Sequence, residues 1–193
     1  MSEPKIRLAS RQDAEAIHRI YAPIVRDTAI SFEWDVPTVS ELADRVTTVL
    51  RSGYPWLVAE ASGVVAGYAC ASSFRTRTAY SWAAEVSVYV HPRYHRRGVG
   101  RSVYSSVLDL LELQGYRSAY GVATAPNPSS EALHRSMGFE QAGYLHRVGY
   151  KFGEWHDVIF WRIGLGPQDG TPDPIRPLKD VLSEGTFLAD QSR

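Results

Sequence analysis

The chain reads as an α/β protein, a mixed sheet with helices on its faces. Three observations predict this. Strand-like and helix-like segments follow one another in the order β-α-α-β-β-β-α-β-α-β-β, with no internal repeat. The hydrophobic fraction is 44% and the charged fraction 22%, the balance of an ordinary soluble domain. At 193 residues one full core can be buried without a second domain.

Residues 4–9 form the first predicted strand. A helix then opens near Ser10, with Ile17, Ile20, Tyr21 and Ile24 on one stripe. Residues 28–37 are a loop carrying Phe32 and Trp34. Thr38-Val39-Ser40-Glu41 is a capping-box pattern that starts a second helix, with Leu42, Val46, Val49 and Leu50 inward and Gly53 at its end. Strands at 56–60 and 64–72 flank Ser62-Gly63, a hairpin turn. A further strand covers 80–90 and ends at His91-Pro92. A helix over 99–114 presents Val103, Val107, Leu110 and Leu111, and Gly115 closes it. After a strand at 116–124, Asn127-Pro128 caps a short helix that stops at Gly138. Strands at 139–150 and 155–163 complete a body spanning 1–163. Residues 164–193, where Pro167, Pro172, Pro174 and Pro177 sit among Gly, Asp and Gln, read as an extended tail.

Several function classes are excluded by composition. Lys plus Arg and Asp plus Glu are both 21, so no basic excess marks a nucleic-acid surface. No apolar run approaches the roughly 18 residues of a membrane span, and the N-terminus has no secretory apolar stretch. Cys70 is the single cysteine, which excludes a disulfide framework and a cysteine zinc cluster. His91 and His95 are four apart, but Pro92 spoils a helical metal pair. The expectation is a cytoplasmic protein without metal, nucleic-acid or membrane partners.

The most informative stretch is Tyr89-Val90-His91-Pro92-Arg93-Tyr94-His95-Arg96-Arg97-Gly98-Val99-Gly100-Arg101-Ser102. Its glycines let backbone approach a ligand just where a helix begins, and unpaired amides with the helix dipole make an anion site there. Arg96, Arg97 and Arg101 add charge suited to a diphosphate. A solvated basic turn is the plain alternative. A P-loop would need a Gly-Lys pair, which the chain lacks. A dinucleotide fingerprint would need its glycines directly after the strand and a third one where Val103 stands.

The stretch from Val86 to Ser102 resembles the acetyl-CoA-binding core of the GNAT superfamily of N-acetyltransferases. That core has a strand ending in Val-x-Val, then a (Gln/Arg)-x-x-Gly-x-(Gly/Ala) turn. Asn127 to Gly138-Phe139 also follows the family's spacing. Residues 54–60, 77–82 and 149–158 are similar to phosphinothricin N-acetyltransferases and their methionine sulfoximine-acetylating relatives, so the likeness covers about Pro4 to Trp161. It implies a GNAT-type mixed, mostly antiparallel twisted sheet with helices on both faces, acetyl-CoA as co-substrate, and a homodimer. Backbone at Val88, Tyr89 and Val90 is then expected to hold the pantetheine, and residues 96–102 (Arg96, Arg97, Gly98, Val99, Gly100, Arg101, Ser102) the diphosphate. Asn127 joins them, holding pantetheine or capping its helix. His95 departs from the usual Gln or Arg, which predicts altered diphosphate contacts.

Acetyl transfer to an ammonium requires a base, a polarised carbonyl and a proton for the leaving thiolate. Strand alternation puts Glu85, Ser87 and Tyr89 on one face and Val86, Val88 and Val90 on the other. Partial desolvation there would raise the Glu85 pKa toward a base's range; an exposed or salt-bridged glutamate is the alternative. In the similar phosphinothricin enzymes the matching glutamate is a proposed base. His134 stands where many relatives carry a tyrosine assigned to the thiolate, and imidazole suits either proton duty; a merely packed histidine is the alternative. Cys70, in Ala-Cys-Ala with no adjacent cation, reads as buried and structural. Direct transfer in a ternary complex is therefore expected.

Arg75 and Arg77, two apart, would point to one side of an extended strand near Tyr80 and fit a carboxylate or phosphinate. The resemblance places this trio, with Phe32 as a wall, at the acceptor pocket, and Tyr89 within reach of the acceptor. The acceptor expected is a small zwitterionic amine such as phosphinothricin or methionine sulfoximine or sulfone, in a detoxifying or housekeeping role. Two alternatives stay open: another amine, such as an ordinary amino acid or peptide N-terminus, and a non-catalytic acyl-CoA sensor.

Overall fold

Among the described residues, seven strands form one sheet in the order β1-β2-β3-β4-β5-β7-β6. The computed structural model describes residues 4–184. The strands are β1 (Lys5–Leu8), β2 (Trp56–Ala61), β3 (Val64–Ser73), β4 (Ala83–Val90), β5 (Ser118–Ala125), β6 (Glu140–Lys151) and β7 (Glu154–Gly164). The helices are α1 (Ala14–Asp27), α2 (Val39–Arg51), α3 (Val99–Gln114), α4 (Pro128–Ser136) and α5 (Leu178–Ser183). Only β4 and β5 run parallel, so the mixed, mostly antiparallel sheet is as expected. Helices cover both faces. Ile17, Ile20, Val25, Leu42 and Val46 of α1 and α2 close one side over Trp56, Val58 and Tyr68. Val103, Tyr104, Val107, Leu110 and Leu111 of α3 close the other over Leu57, Ala69, Ala84 and Val86.

Local signals act as their chemistry requires. Thr38 Oγ1 accepts from the Glu41 amide and Glu41 reaches back to the Thr38 amide, a complete capping box. Ser62 and Gly63 both have positive φ, +53° and +74°, as a two-residue hairpin turn demands. Asn127 caps α4 by accepting from the Ser130 amide at 3.1 Å.

One expectation needs correction, and two gain detail. The segment from Tyr80 is not strand: β3 ends at Ser73, residues 78–80 make a 3-10 turn, and β4 begins at Ala83. Arg75 and Arg77 therefore lie on a loop, and the argument from strand alternation fails for them. The helix near Ser10 opens with a 3-10 turn, Arg11–Asp13, before α1. The tail folds back onto the body as far as Glu184: Trp82 Nε1 donates to the Asp173 carbonyl, the Arg176 amide to Gln114, and Leu178 and Val181 of α5 are buried in the α3 core. Residues 185–193 of the predicted tail lie outside the described residues.

Candidate active site

The site begins as a defect in the sheet. β4 pairs with β3 from Ala84 to Val90, but with β5 only from Ala83 to Val86. Beyond Val86 and Gly121 the two strands diverge, and residues 87–90 of β4 present an edge to the opening without a ladder partner. Such an edge inside a protein is a ready hydrogen-bonding rail for an extended ligand. Val88 and Val90 turn their backbone groups to this opening, while those of Tyr89 are paired with Tyr68 of β3. One group is already taken: His95 Nε2 donates to the Val90 carbonyl at 2.9 Å. His95 thus anchors the following turn to the end of β4.

That turn leads into α3. Arg96 has φ +57° and Gly98 caps the helix with φ +81°, a conformation that glycine adopts without steric cost. The Ser102 amide makes the first intrahelical bond, to the Gly98 carbonyl at 2.9 Å. The amides of Val99, Gly100 and Arg101 precede it and have no intrahelical acceptor, so these three first-turn amides are free to donate to an anion while Ser102's is committed to the helix. Arg101 Nη2 donates to the Ser136 carbonyl at 3.0 Å, at the end of α4. Arg96 and Arg97 are exposed, with the Arg97 guanidinium 5.7 Å from the Tyr94 ring centre. Local charge, helix dipole and these amides together fit a diphosphate.

Glu85 and His134 flank the divergence on opposite faces. Glu85 is opposite Tyr120 in register, on the side of α1 and α2. It is half-buried, and no hydrogen bond or ion pair among the described residues holds its carboxylate. Burial raises its pKa above the ordinary carboxylate range, and the charge of Arg75 offsets only part of this. His134 is 4% exposed on the α3 side. Its imidazole lies directly over Gly121, where a Cβ would come within 2.2 Å of Nε2. Nδ1 donates to the Ser130 carbonyl at 2.8 Å, so in the neutral ring Nε2 accepts, here from the Tyr104 hydroxyl at 3.2 Å. Burial lowers its pKa, against a smaller opposing effect of the Ser130 bond. The ring is therefore a neutral acceptor at pH 7, stacked on Trp161.

Around Glu85 the acceptor face is aromatic. Phe74 stacks on Tyr120 with centres 4.2 Å apart, Tyr80 meets Phe74 edge-on, and the Arg75 guanidinium lies 4.4 Å from the Phe74 ring centre. Arg75, Phe74 and Tyr80 thus come together near Glu85, while Arg77 is an exposed residue that caps the 3-10 turn. Tyr89 is different: its ring packs between Tyr21 and Tyr68, at 5.1 and 5.3 Å, and burial holds its hydroxyl far above the ordinary pKa. Beside these rings a cavity of about 630 Å³ runs under α2, bounded by Tyr21, Glu33, Arg45, Trp56, Tyr68 and Ser87. Cys70 also faces it, and desolvation pushes its thiol up to about 12, unsuited to a thiolate nucleophile. Among the described residues no cluster of three or more His, Cys, Asp or Glu side chains is placed to hold a metal, and no helix is long and apolar enough to cross a membrane.

The Phe32 ring is seated on Gly149 of β6, where a Cβ would fall 2.1 Å from it, with its centre 6.1 Å from that of His156. Sequence reasoning overlooked what holds it. Thr124 Oγ1 of β5 donates to the Ala29 carbonyl at 2.8 Å, and the Lys151 ammonium to three carbonyls of the same region. The available signal was Lys151 itself, a cation closing an aromatic strand, two residues from Gly149.

Residues 6–160 match the family model described as acetyltransferase (GNAT) domain. The chain is 37% identical over 177 residues to a phosphinothricin N-acetyltransferase of Streptomyces viridochromogenes, covering 92% of this chain and 96% of the relative. It is 36% identical to an L-methionine sulfoximine/L-methionine sulfone acetyltransferase of Salmonella typhimurium, over 87% and 98% of the two chains. Among solved structures, a phosphinothricin acetyltransferase from Sinorhizobium meliloti in complex with AcCoA superposes with a TM-score of 0.85 at 35% identity, covering 89% and 94%.

Proposed function

The chain belongs to the GNAT acetyltransferase family, and on that premise we propose that it acetylates the amine of a small amino-acid-like acceptor of the phosphinothricin and methionine sulfoximine type, by direct transfer in a ternary complex. The observation that carries this reading is the divergence of β4 from β5, with Glu85 unpaired on the acceptor side. Acetyl-CoA supplies the acetyl group as a thioester. The edge of β4 from Ser87 to Val90 would hold its pantetheine, and the amides of Val99, Gly100 and Arg101, with Arg96 and Arg97, its diphosphate. Glu85 takes the proton from the acceptor's ammonium, since a desolvated carboxylate is a better base than an exposed one. Position, rather than protonation, sets His134 apart: it lies on the face opposite Glu85, so Glu85 is the base for the ammonium, and the second proton, lost from the nitrogen as the amide forms, goes to the departing thiolate. The high pKa of Cys70 supports direct transfer over a covalent relay.

Arg75, with Tyr80 and Phe74 beside it, supports an anionic group on the acceptor; Arg77 is assigned there by resemblance. A panel of phosphinothricin, methionine sulfoximine, methionine sulfone, ordinary amino acids and polyamines, assayed by release of free coenzyme A, tests the reading. Turnover is expected with the first three. Turnover of polyamines alone, or no thiol release at all, overturns it.

We also propose a homodimer formed through β6 and β7, where Val148 (51% exposed), Tyr150 (46%) and Trp155 (53%) leave an apolar face in water. Light scattering should give twice the chain mass; a monomer at micromolar concentration removes this proposal.

A further inference from the structure

We propose that Lys151 is a positioning residue for the acceptor, acting through Phe32: its ammonium locks the loop between α1 and α2 against β6. The inference rests on the acceptor reading above. Lys151 is 2% exposed, and no ion pair joins it to a carboxylate among the described residues. Its three N–H groups go to the carbonyls of Val25, Thr28 and Ser31, at 2.7, 3.0 and 2.7 Å. Donors and acceptors match in number, so the ammonium is fully spent.

The location explains why a cation is tolerated there. Val25 belongs to the last turn of α1, whose carbonyls lack intrahelical partners, and the negative end of the helix dipole favours a positive charge. Burial lowers the lysine pKa and the nearby charge of Glu33 opposes this. A neutral side chain would leave three inward carbonyls without a donor. Two residues earlier on the same face of β6, Gly149 receives the Phe32 ring. From β5, Thr124 Oγ1 bonds the Ala29 carbonyl, and from α2, Arg45 makes a two-pronged pair with Glu33. The stretch from Val25 to Glu33 is thus tethered at both sides of Phe32 before any acceptor arrives. Ordering a wall in advance removes an entropic cost from binding, and the cofactor's turn lies on other elements. The effect should therefore fall on acceptor binding.

The test is Lys151→Met in the full chain, with Thr124→Val as a milder cut in the same tether. The expected result for Lys151→Met is an acceptor KM about tenfold higher, with kcat within about threefold and the acetyl-CoA KM unchanged. Hydrogen exchange should quicken at 28–33 and stay as it was in α3. An unchanged acceptor KM in the folded variant overturns the inference. So does a parallel loss of kcat and both KM values with protection lost across the sheet, which marks a general anchor. If Lys151→Met does not fold, Thr124→Val decides, with an acceptor KM about threefold higher expected and an unchanged value overturning it. If the native protein acetylates none of the amines, the acceptor reading falls by itself; exchange at 28–33 then decides, and unchanged protection there overturns the role of Lys151.

Discussion

Two carboxylates in this molecule have opposite environments. Asp13, at the start of α1, accepts from both Nη atoms of Arg7 at 2.7 and 2.9 Å and from the Ser10 amide at 2.7 Å, and Arg7 also pairs with Glu60 of β2. Burial alone would push its pKa up, but those bonds outweigh burial and hold it below the ordinary value. Glu85, on β4, is also partly buried, but without a hydrogen-bond donor among the described residues, so burial prevails and its pKa rises. The first carboxylate fastens the N-terminal segment to the sheet edge. The second is left without such a partner. Structural charge is satisfied charge, whereas a base is useful because its environment does not stabilise its charged form.

The largest expected effect comes from removing the unsatisfied member of this pair. Glu85→Gln keeps the shape but cannot take a proton, so kcat/KM should fall about 10²- to 10³-fold, within the range for a general base. In the native enzyme kcat/KM should rise with pH through the raised Glu85 pKa, above the ordinary value of about 4.3 for glutamate. That acidic limb should vanish in Glu85→Gln. A pH profile that keeps the same limb in the variant assigns it to another group and breaks the contrast between the two carboxylates.

How far the sequence foretells this contrast differs between the residues involved. Glu85 and its face follow from strand alternation, because one period places every second side chain. The turn before α3 follows from its glycines and arginines, and the capping box of α2 from Thr38 and Glu41. Local chemistry decides such features. The divergence of β4 from β5 is invisible in either strand, since it depends on which rungs of two distant segments pair. The role of Lys151 is invisible for a similar reason: its acceptors lie 120 to 126 residues away. Arg101 and Arg75 show what local pattern leaves open. Both are long side chains in basic stretches, and their tips are settled by the Ser136 carbonyl and the Phe74 ring. The path of the tail is hidden because its prolines and glycines resemble a linker, although Leu165, Leu178 and Val181 join the α3 core.

The smaller effect sharpens the comparison through its sign. Asp13→Asn should leave kcat/KM unchanged, since Asp13 is far along the sheet from the β4–β5 opening, and cost about 1–2 kcal/mol of stability at pH 7. Because the folded pKa of Asp13 is depressed, its contribution is present above the unfolded value of about 3.9 and is lost as pH falls through the folded one. The difference in Tm between native protein and Asp13→Asn should therefore be about 2–8 °C at neutral pH and shrink in acid. Glu85 should show the reverse in the same melts. Its raised folded pKa means that the native protein loses stability as pH climbs through that value, so Glu85→Gln should match it near pH 4 and melt higher near pH 8. A Glu85→Gln variant that melts lower at pH 8 would mean that its carboxylate is held by a partner after all, and the two carboxylates would then differ in place but not in kind.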